Sequence, residues 1–253
     1  MRSVAMVGGG MTRFGKYLDR GLKDLAREAV DAALECAGMD RSVPEVAVVG
    51  NAAAGLSTGQ ECVRAQVVLR EMGIQEIPMV NTENACASSS TAFQLAWLYV
   101  ASGMYDIALA VGMEKMYQQD KSRVFASFMA GTDVELVQQM LARMQAEAEK
   151  KAKEGGAEES GGPGKSRSVF MDLYAAGARF HMQRYGTTKE QFAKIAVKNH
   201  YHGSLNPHAQ YREVYTLEEI LASPLVAEPL TRLMCSPIGD GAAAAILVNE
   251  EKA

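Results

Sequence analysis

Short apolar runs alternate with helix-forming stretches from the amino terminus to Glu114. Val4–Val7 reads as a strand, Leu22–Gly38 as an amphipathic helix and Val46–Val49 as a strand covered on both faces. Gln60–Met72 reads as a helix ended by Gly73, Ile77–Val80 as a strand, Ser88–Gly103 as a helix and Ile107–Val111 as a strand. In the first helix Leu22, Leu25, Ala29, Ala32, Ala33 and Cys36 recur at helical spacing, which predicts that Cys36 belongs to the core. Ser88–Gly103 carries almost no charge, which predicts a helix buried all round. The order β-α-β-α-β-α-β with short links predicts an α/β domain built on a mainly parallel sheet covered by helices.

A chain of 253 residues, 48% hydrophobic, can bury one large core or two small ones. A net charge of −4 gives no general attraction to nucleic acid or to an anionic membrane, so neither partner is expected. No stretch approaches the roughly twenty apolar residues of a membrane span, and none reads as a targeting segment. Cys36, Cys62, Cys86 and Cys235 are far apart and form no Cys-x-x-Cys pair. That spacing argues against a metal site and a disulfide framework, and for a reducing, cytoplasmic setting.

Cys86 stands apart from the other three. It lies in Asn81-Thr-Glu-Asn84-Ala-Cys86-Ala-Ser88-Ser-Ser, between an apolar strand and a helix that opens on small residues. Cysteines are commonly buried structural residues. At a strand-to-helix junction, however, backbone N–H groups and the helix dipole favour a thiolate and offer donors to a developing oxyanion. Cys86 is therefore the candidate nucleophile. Cys62, near the start of another helix but flanked by Glu61 and Arg64, reads as an exposed or interface position without chemistry. Gly8-x-Gly10 is followed by Arg13 where a dinucleotide loop needs its third glycine, so it reads as a plain strand-to-loop turn.

Beyond Glu114 the composition shifts. Asp133–Lys153 is charged and helix-favouring, and Gly155–Lys165 is rich in Gly, Glu and Ser; Tyr117–Lys165 reads as an excursion from the core. Met171–Tyr185 is helical, Thr187-Thr-Lys-Glu190 is read as a capping box opening the next helix, and Thr216-Leu-Glu-Glu219 as another. Ala242–Val248 is a final strand. His181, His200, His202 and His208 all lie in the last third, and none has a context that marks it as the base of a cysteine nucleophile.

The chain resembles the N-terminal half of a thiolase of the sterol-carrier-protein-X type. The resemblance rests on Val4-Ala-Met-Val-Gly-Gly-Gly-Met-Thr-Arg-Phe-Gly15, Asn84-Ala-Cys86-Ala-Ser-Ser-Ser, and Ala110-Val-Gly-Met-Glu114. It rests equally on Lys198-Asn-His200 through Asn206-Pro207, and on Pro229-Leu-Thr-x-x-x-Cys235-Ser-Pro-x-x-Asp240-Gly241-Ala-Ala-Ala. It implies a thiolase-like βαβαβαββ domain: core residues 1–116 with the nucleophile, an inserted loop domain over 117–171, and the rest of the core over 172–253. It implies acyl transfer in lipid metabolism, by Claisen condensation or thiolysis of 3-ketoacyl-CoA, with Cys86 as the acylated residue. Coenzyme A thioester is then a substrate held partly by segment 117–171, and no permanent cofactor or metal is expected. The implied partners are a second copy in a homodimer, a zinc-ribbon/OB-fold companion protein, or a separate C-terminal half. The family's activating histidine and its Cys-x-Gly motif belong to that C-terminal domain, which this sequence lacks. Cys235 matches the Ser-Pro-x-x-Asp-Gly segment rather than a second catalytic cysteine. Ser88 stands where many thiolases carry another small residue, which leaves the substrate range open. A ketosynthase or retro-aldolase on the same fold, or a non-catalytic scaffold that binds CoA esters, are the alternatives.

Overall fold

The computed structural model describes residues 1–140, 142–143 and 169–253. The chain divides into two units. The first comprises Met1–Asp120, Leu205–Arg212 and Ile238–Ala253; the second comprises Lys121–Ser204 and Glu213–Pro237.

The first unit is built on a five-stranded sheet in the order β1-β7-β4-β2-β3. Its strands are β1 (Val4–Met11), β2 (Val46–Gly50), β3 (Met79–Thr82), β4 (Ile107–Glu114) and β7 (Gly241–Asn249). β2 pairs in parallel with β3 and β4, whereas β7 runs antiparallel to β1 and β4. β1 to β4 thus share one direction, as the alternating pattern predicts, and β7 alone opposes them. Period-two alternation splits the core into two layers. Ala47, Val49, Leu109, Val111, Ala244 and Ile246 face α1 (Leu22–Ala37) and α3 (Arg64–Arg70). Val46, Val48, Ala108, Ala110 and Leu247 face α4 (Ser88–Ala101). All of β2 is buried, as a strand covered on both faces should be.

Several elements differ from their sequence reading. The glycines Gly8, Gly9 and Gly10 lie inside β1 and not in a turn after it. A Cβ on Gly8 would collide with the Ala33 carbonyl oxygen, and one on Gly10 with that of Ala29. Gly8 and Gly10 let α1 lie directly on the strand. Cys36 is exposed. The buried stripe of α1 runs through Leu22, Leu25, Ala26, Ala29, Val30, Ala33 and Leu34, and Cys36 falls past its edge. The helix expected over Gln60–Met72 is two helices, α2 (Ala54–Thr58) and α3, parted by a loop that holds exposed Cys62. β3 starts two residues later than expected. Pro78 has no N–H to give to the ladder, and its carbonyl accepts from Ala47 at 3.0 Å instead.

The helix α4 is buried on one side only. Ala92, Ala96 and Val100 are closed against the sheet, but Phe93, Trp97 and Leu98 are 37 to 44% exposed. A helix on a sheet covers only the stripe that faces it, whatever the rest of its composition.

The second unit contains α5 (Lys121–Ala130), a helical stretch over 134–140, α6 (Val169–Tyr185), α7 (Lys189–Leu205) and α8 (Leu217–Ala222). A short hairpin, β5 (Leu225–Ala227) with β6 (Leu230–Thr231), completes it. Ala193, Ala196 and Ile220 form its small core. Much of the helix expected over Asp133–Lys153, and all of Gly155–Lys165, lie outside the described residues. The Thr216–Glu219 capping box is present, with N–H···O distances of 3.2 and 2.8 Å. The box at the start of α7 is one residue later than read. Thr188 pairs with Gln191, while Thr187 turns its hydroxyl to the His181 ring at 2.8 Å.

Candidate active site

The parallel strands β1 to β4 end on one side of the sheet, and β7 begins there. In sheets of this kind the loops at the carboxyl ends of the strands carry the chemistry. Cys86 lies on that side. Thr82 ends β3, and Ala85–Ala87 form a single 3-10 turn before α4 begins at Ser88. Cys86 is exposed at the middle of this turn.

The turn is strained and braced. Ala85 has φ 45°, a left-handed conformation that costs a non-glycine residue about 1–3 kcal/mol. Ser88, 4% exposed, closes the loop from beneath: its hydroxyl accepts from the Asn84 N–H at 2.9 Å and donates to the Ala85 carbonyl at 2.7 Å. The Ser88 N–H also goes to the Ala85 carbonyl, and the Ala87 N–H to the Asn84 carbonyl at 2.9 Å. The Asn84 side chain donates to Thr91 at 3.1 Å, and buried Thr82 donates to the Ser88 carbonyl at 3.1 Å.

Two glycines at the strand ends let this turn sit down on the sheet. A Cβ on Gly50, the last residue of β2, would lie 2.5 Å from the Ser88 carbonyl oxygen. One on Gly112 of β4 would overlap the Ser89 side chain, 2.6 Å from its Cβ. Beside them, Glu114 ties down the β2–α2 loop. Its carboxylate accepts from the Asn51 side chain at 3.1 Å and from the N–H groups of Ala52 at 3.0 Å and Ala53 at 3.1 Å.

On the β1–β7 side, Asp240 is fully buried and pairs with Lys115 at 2.8 Å. Its other acceptor positions take the N–H groups of Met116 at 2.8 Å, Tyr117 at 2.7 Å and Tyr17 at 3.2 Å. Lys115 in turn donates to the carbonyls of Tyr17 at 2.6 Å and Tyr117 at 2.7 Å. One buried ion pair thus joins the loops that follow β1 and β4 to the start of β7. Asp240 and Glu114 stand out in the sequence only as parts of longer motifs; their role as loop clamps emerges from pairing across the chain.

Of the other titratable candidates, His200 contacts the Leu233 carbonyl at 3.1 Å and meets the Tyr215 ring edge-on. His181 is held by Thr187 and packs against Tyr185 and Phe192. His202 lies within the last turn of α7, which continues to Leu205. Burial raises the Cys235 thiol pKa, and its sulfur points to the Thr231 carbonyl at 3.4 Å. Such a thiol is held in its unreactive form. Among the described residues no group of three or more His, Cys, Asp or Glu side chains is placed to hold a metal ion, and no helix is long and apolar enough to cross a membrane. An open depression of about 650 Å³, lined by Asp31, Glu35, Asp40 and Arg41 among others, lies at the opposite end of the sheet, where α1 ends. Its one arginine is engaged with Asp31 at 2.7 Å.

Comparison with known proteins places this arrangement in a family. Residues 4–251 match the family model described as "Thiolase, N-terminal domain". The acetyl-CoA acetyltransferase of Methanothermobacter thermautotrophicus is 37% identical over 253 residues, covering 100% of this chain and 58% of that protein. Sterol carrier protein 2 of Gallus gallus is 35% identical over 252 residues, covering 99% of this chain and 42% of that protein. The chain therefore spans about half the length of these curated relatives. Among solved structures, the Ltp2–ChsH2(DUF35) aldolase is similar with a TM-score of 0.68 and 25% identity, covering 98% of this chain and 56% of that one. Human mitochondrial 3-ketoacyl-CoA thiolase in complex with CoA shares the fold, with a TM-score of 0.67 and 19% identity over 99% of this chain and 66% of that one. With the match running from the first strand to the last, this chain belongs to the thiolase family and corresponds to its N-terminal domain.

Proposed function

We propose that this chain is the nucleophile-bearing part of a thiolase-type acyltransferase, with Cys86 as the residue that carries the acyl group. The observation behind this reading is the placement of Cys86, exposed in a braced turn where β3 gives way to α4. The names of the relatives support acyl-CoA as the substrate class. In the proposed step the Cys86 sulfur attacks the thioester carbonyl of acyl-CoA. The bond from that carbon to the CoA sulfur breaks, CoA leaves as its thiol, and an acyl-Cys86 thioester remains. The Cys86 proton passes through a base to the departing sulfur. The thiolase resemblance implies that this base is a histidine of a C-terminal domain, in the same chain or in a separate subunit. Release by CoA is thiolysis, and release by the carbanion of a second acyl-CoA is Claisen condensation. CoA is a substrate here, and segment 117–171, of which residue 141 and residues 144–168 lie outside the described set, is the proposed cover for it. A homodimer or a zinc-ribbon/OB-fold companion completes the proposed assembly, in the cytoplasm.

The similarity to an aldolase assembled with a DUF35 protein favours one second reading, carbon–carbon cleavage by a retro-aldol route without an acyl-enzyme. Cys86→Ala in the complete enzyme separates the two. Loss of acyl transfer with an unchanged melting temperature supports Cys86 as nucleophile. Turnover that persists in the variant removes that role and favours the aldolase.

A further inference from the structure

The geometry points to Ser88 as the positioning residue of the Cys86 turn, acting by holding Ala85 in the left-handed conformation from which Cys86 is presented. This inference deepens the acyl-transfer reading and rests on it. Ser88 does not touch the reacting atoms. Its hydroxyl both donates and accepts, once on each side of the turn. It accepts from the Asn84 N–H at 2.9 Å and donates to the Ala85 carbonyl at 2.7 Å. Those two groups bracket the backbone torsions of Ala85, where φ is 45°. Ser88 is itself immobilised. It is 4% exposed, its carbonyl is held by Thr82 at 3.1 Å, and Gly50 lies against that carbonyl with no room for a side chain. Rigid sheet, buried serine and strained turn form one chain of contacts ending at the cysteine. Without the hydroxyl, the Asn84 N–H loses its partner and the Ala85 carbonyl keeps only the Ser88 N–H, while the Ala85 N–H stays on the Glu83 carboxylate at 2.6 Å. The weakened hold lets Ala85 relax toward an ordinary conformation, which carries the next residue, Cys86, with it.

Competitive alkylation tests this, because the chain supplies its own controls. Iodoacetamide is applied to the full chain and modification is followed separately at Cys36, Cys62, Cys86 and Cys235 by peptide mapping. Ser88→Ala is expected to lower the alkylation rate of Cys86 relative to Cys62 several-fold, because a cysteine carried out of its present turn loses the exposure that makes it accessible to the reagent. The ratio of Cys36 to Cys62 should stay unchanged, and Cys235 should remain protected. Ser88→Thr, which keeps the hydroxyl, should restore Cys86. Ala85→Gly placed in the Ser88→Ala background should also restore it, because glycine adopts the left-handed conformation without help. If Ser88→Ala does not fold, these last two variants carry the test: folded and reactive supports the inference, folded and unreactive overturns it. An unchanged or increased Cys86 rate in folded Ser88→Ala overturns it, as does a fall shared by all four cysteines. In the complete enzyme the same variant should lower kcat about tenfold with KM little changed. If the complete enzyme without substitution shows no acyl-Cys86 with acetyl-CoA, the acyl-transfer reading fails while the alkylation result stands by itself.

Discussion

At the scale of single residues, space decides more than composition. Gly50 and Gly112 are not in turns; they are places where a Cβ would strike the start of α4. Gly50→Ala is expected to cost about 1–3 kcal/mol, as overpacking of a closed contact does, and to slow Cys86 alkylation. Gly177, in the middle of α6 with nothing within 4 Å of a built Cβ, is the opposite case. Gly177→Ala should raise stability by up to about 1 kcal/mol through helix propensity. Thermal melts of the two variants check both signs, and equal effects would contradict the packing argument. The sequence marks Cys86 by its position between a strand and a small-residue helix start. It marks Ser88 only through the family resemblance, as a departure that bears on substrate range; its bracing role is not legible, because one serine in a row of three looks like the others until the backbone shows which of them lies beneath the turn.

At the scale of elements, the ends of the strands are tied by charged residues far apart in the chain. Lys115 and Asp240 lock three loops together in a buried site. Asp240→Ala leaves the Lys115 ammonium buried without its counter-charge and should cost about 3–5 kcal/mol, read as a lowered denaturation midpoint. A loss below about 1 kcal/mol, the level of exposed pairs, would show that the pair is solvated. At the other end, Arg2 before β1 and Lys252 after β7 converge on Asp106 before β4, whose N–H is bound by Glu45. The hydrogen bond from Lys252, then that from Arg2, hold the Asp106 carboxyl below its usual value of 3.8. A depressed carboxylate pKa stabilises the fold above the usual value, and that contribution is lost as pH falls through the depressed one. Lys252 is raised above its usual 10.5 by the same hydrogen bond, so its contribution is lost only as pH climbs past that value. The melting-temperature gap between the unmodified chain and Asp106→Asn should therefore be level through neutral pH and shrink below 3.8. A gap that stays constant into strong acid would contradict the assignment. Element types were legible from periodicity wherever a strand is covered on both faces or a helix has one apolar stripe. Boundaries shifted where a local competitor acts: Pro78 at β3, the left-handed Val63 ahead of α3, and Thr188 in place of Thr187 at α7.

At the scale of the whole molecule, the alternation of strands and helices foretold the layered sheet, and the ordered set of motifs foretold the thiolase family. What the sequence could not convey was the outward face of α4, where an apolar helix leaves Phe93, Trp97 and Leu98 exposed because the sheet covers only one side of it. Nor does one half of a family resemblance supply a base for the nucleophile. The most direct test of Cys86 as the acyl carrier is to incubate the complete enzyme with acetyl-CoA alone, quench in acid and map the modified peptide by mass spectrometry. A single acetyl group on Cys86, absent from Cys86→Ala, is the expected result. Turnover with Cys86 unmodified, or acetylation spread equally over Cys36, Cys62 and Cys86, would contradict it.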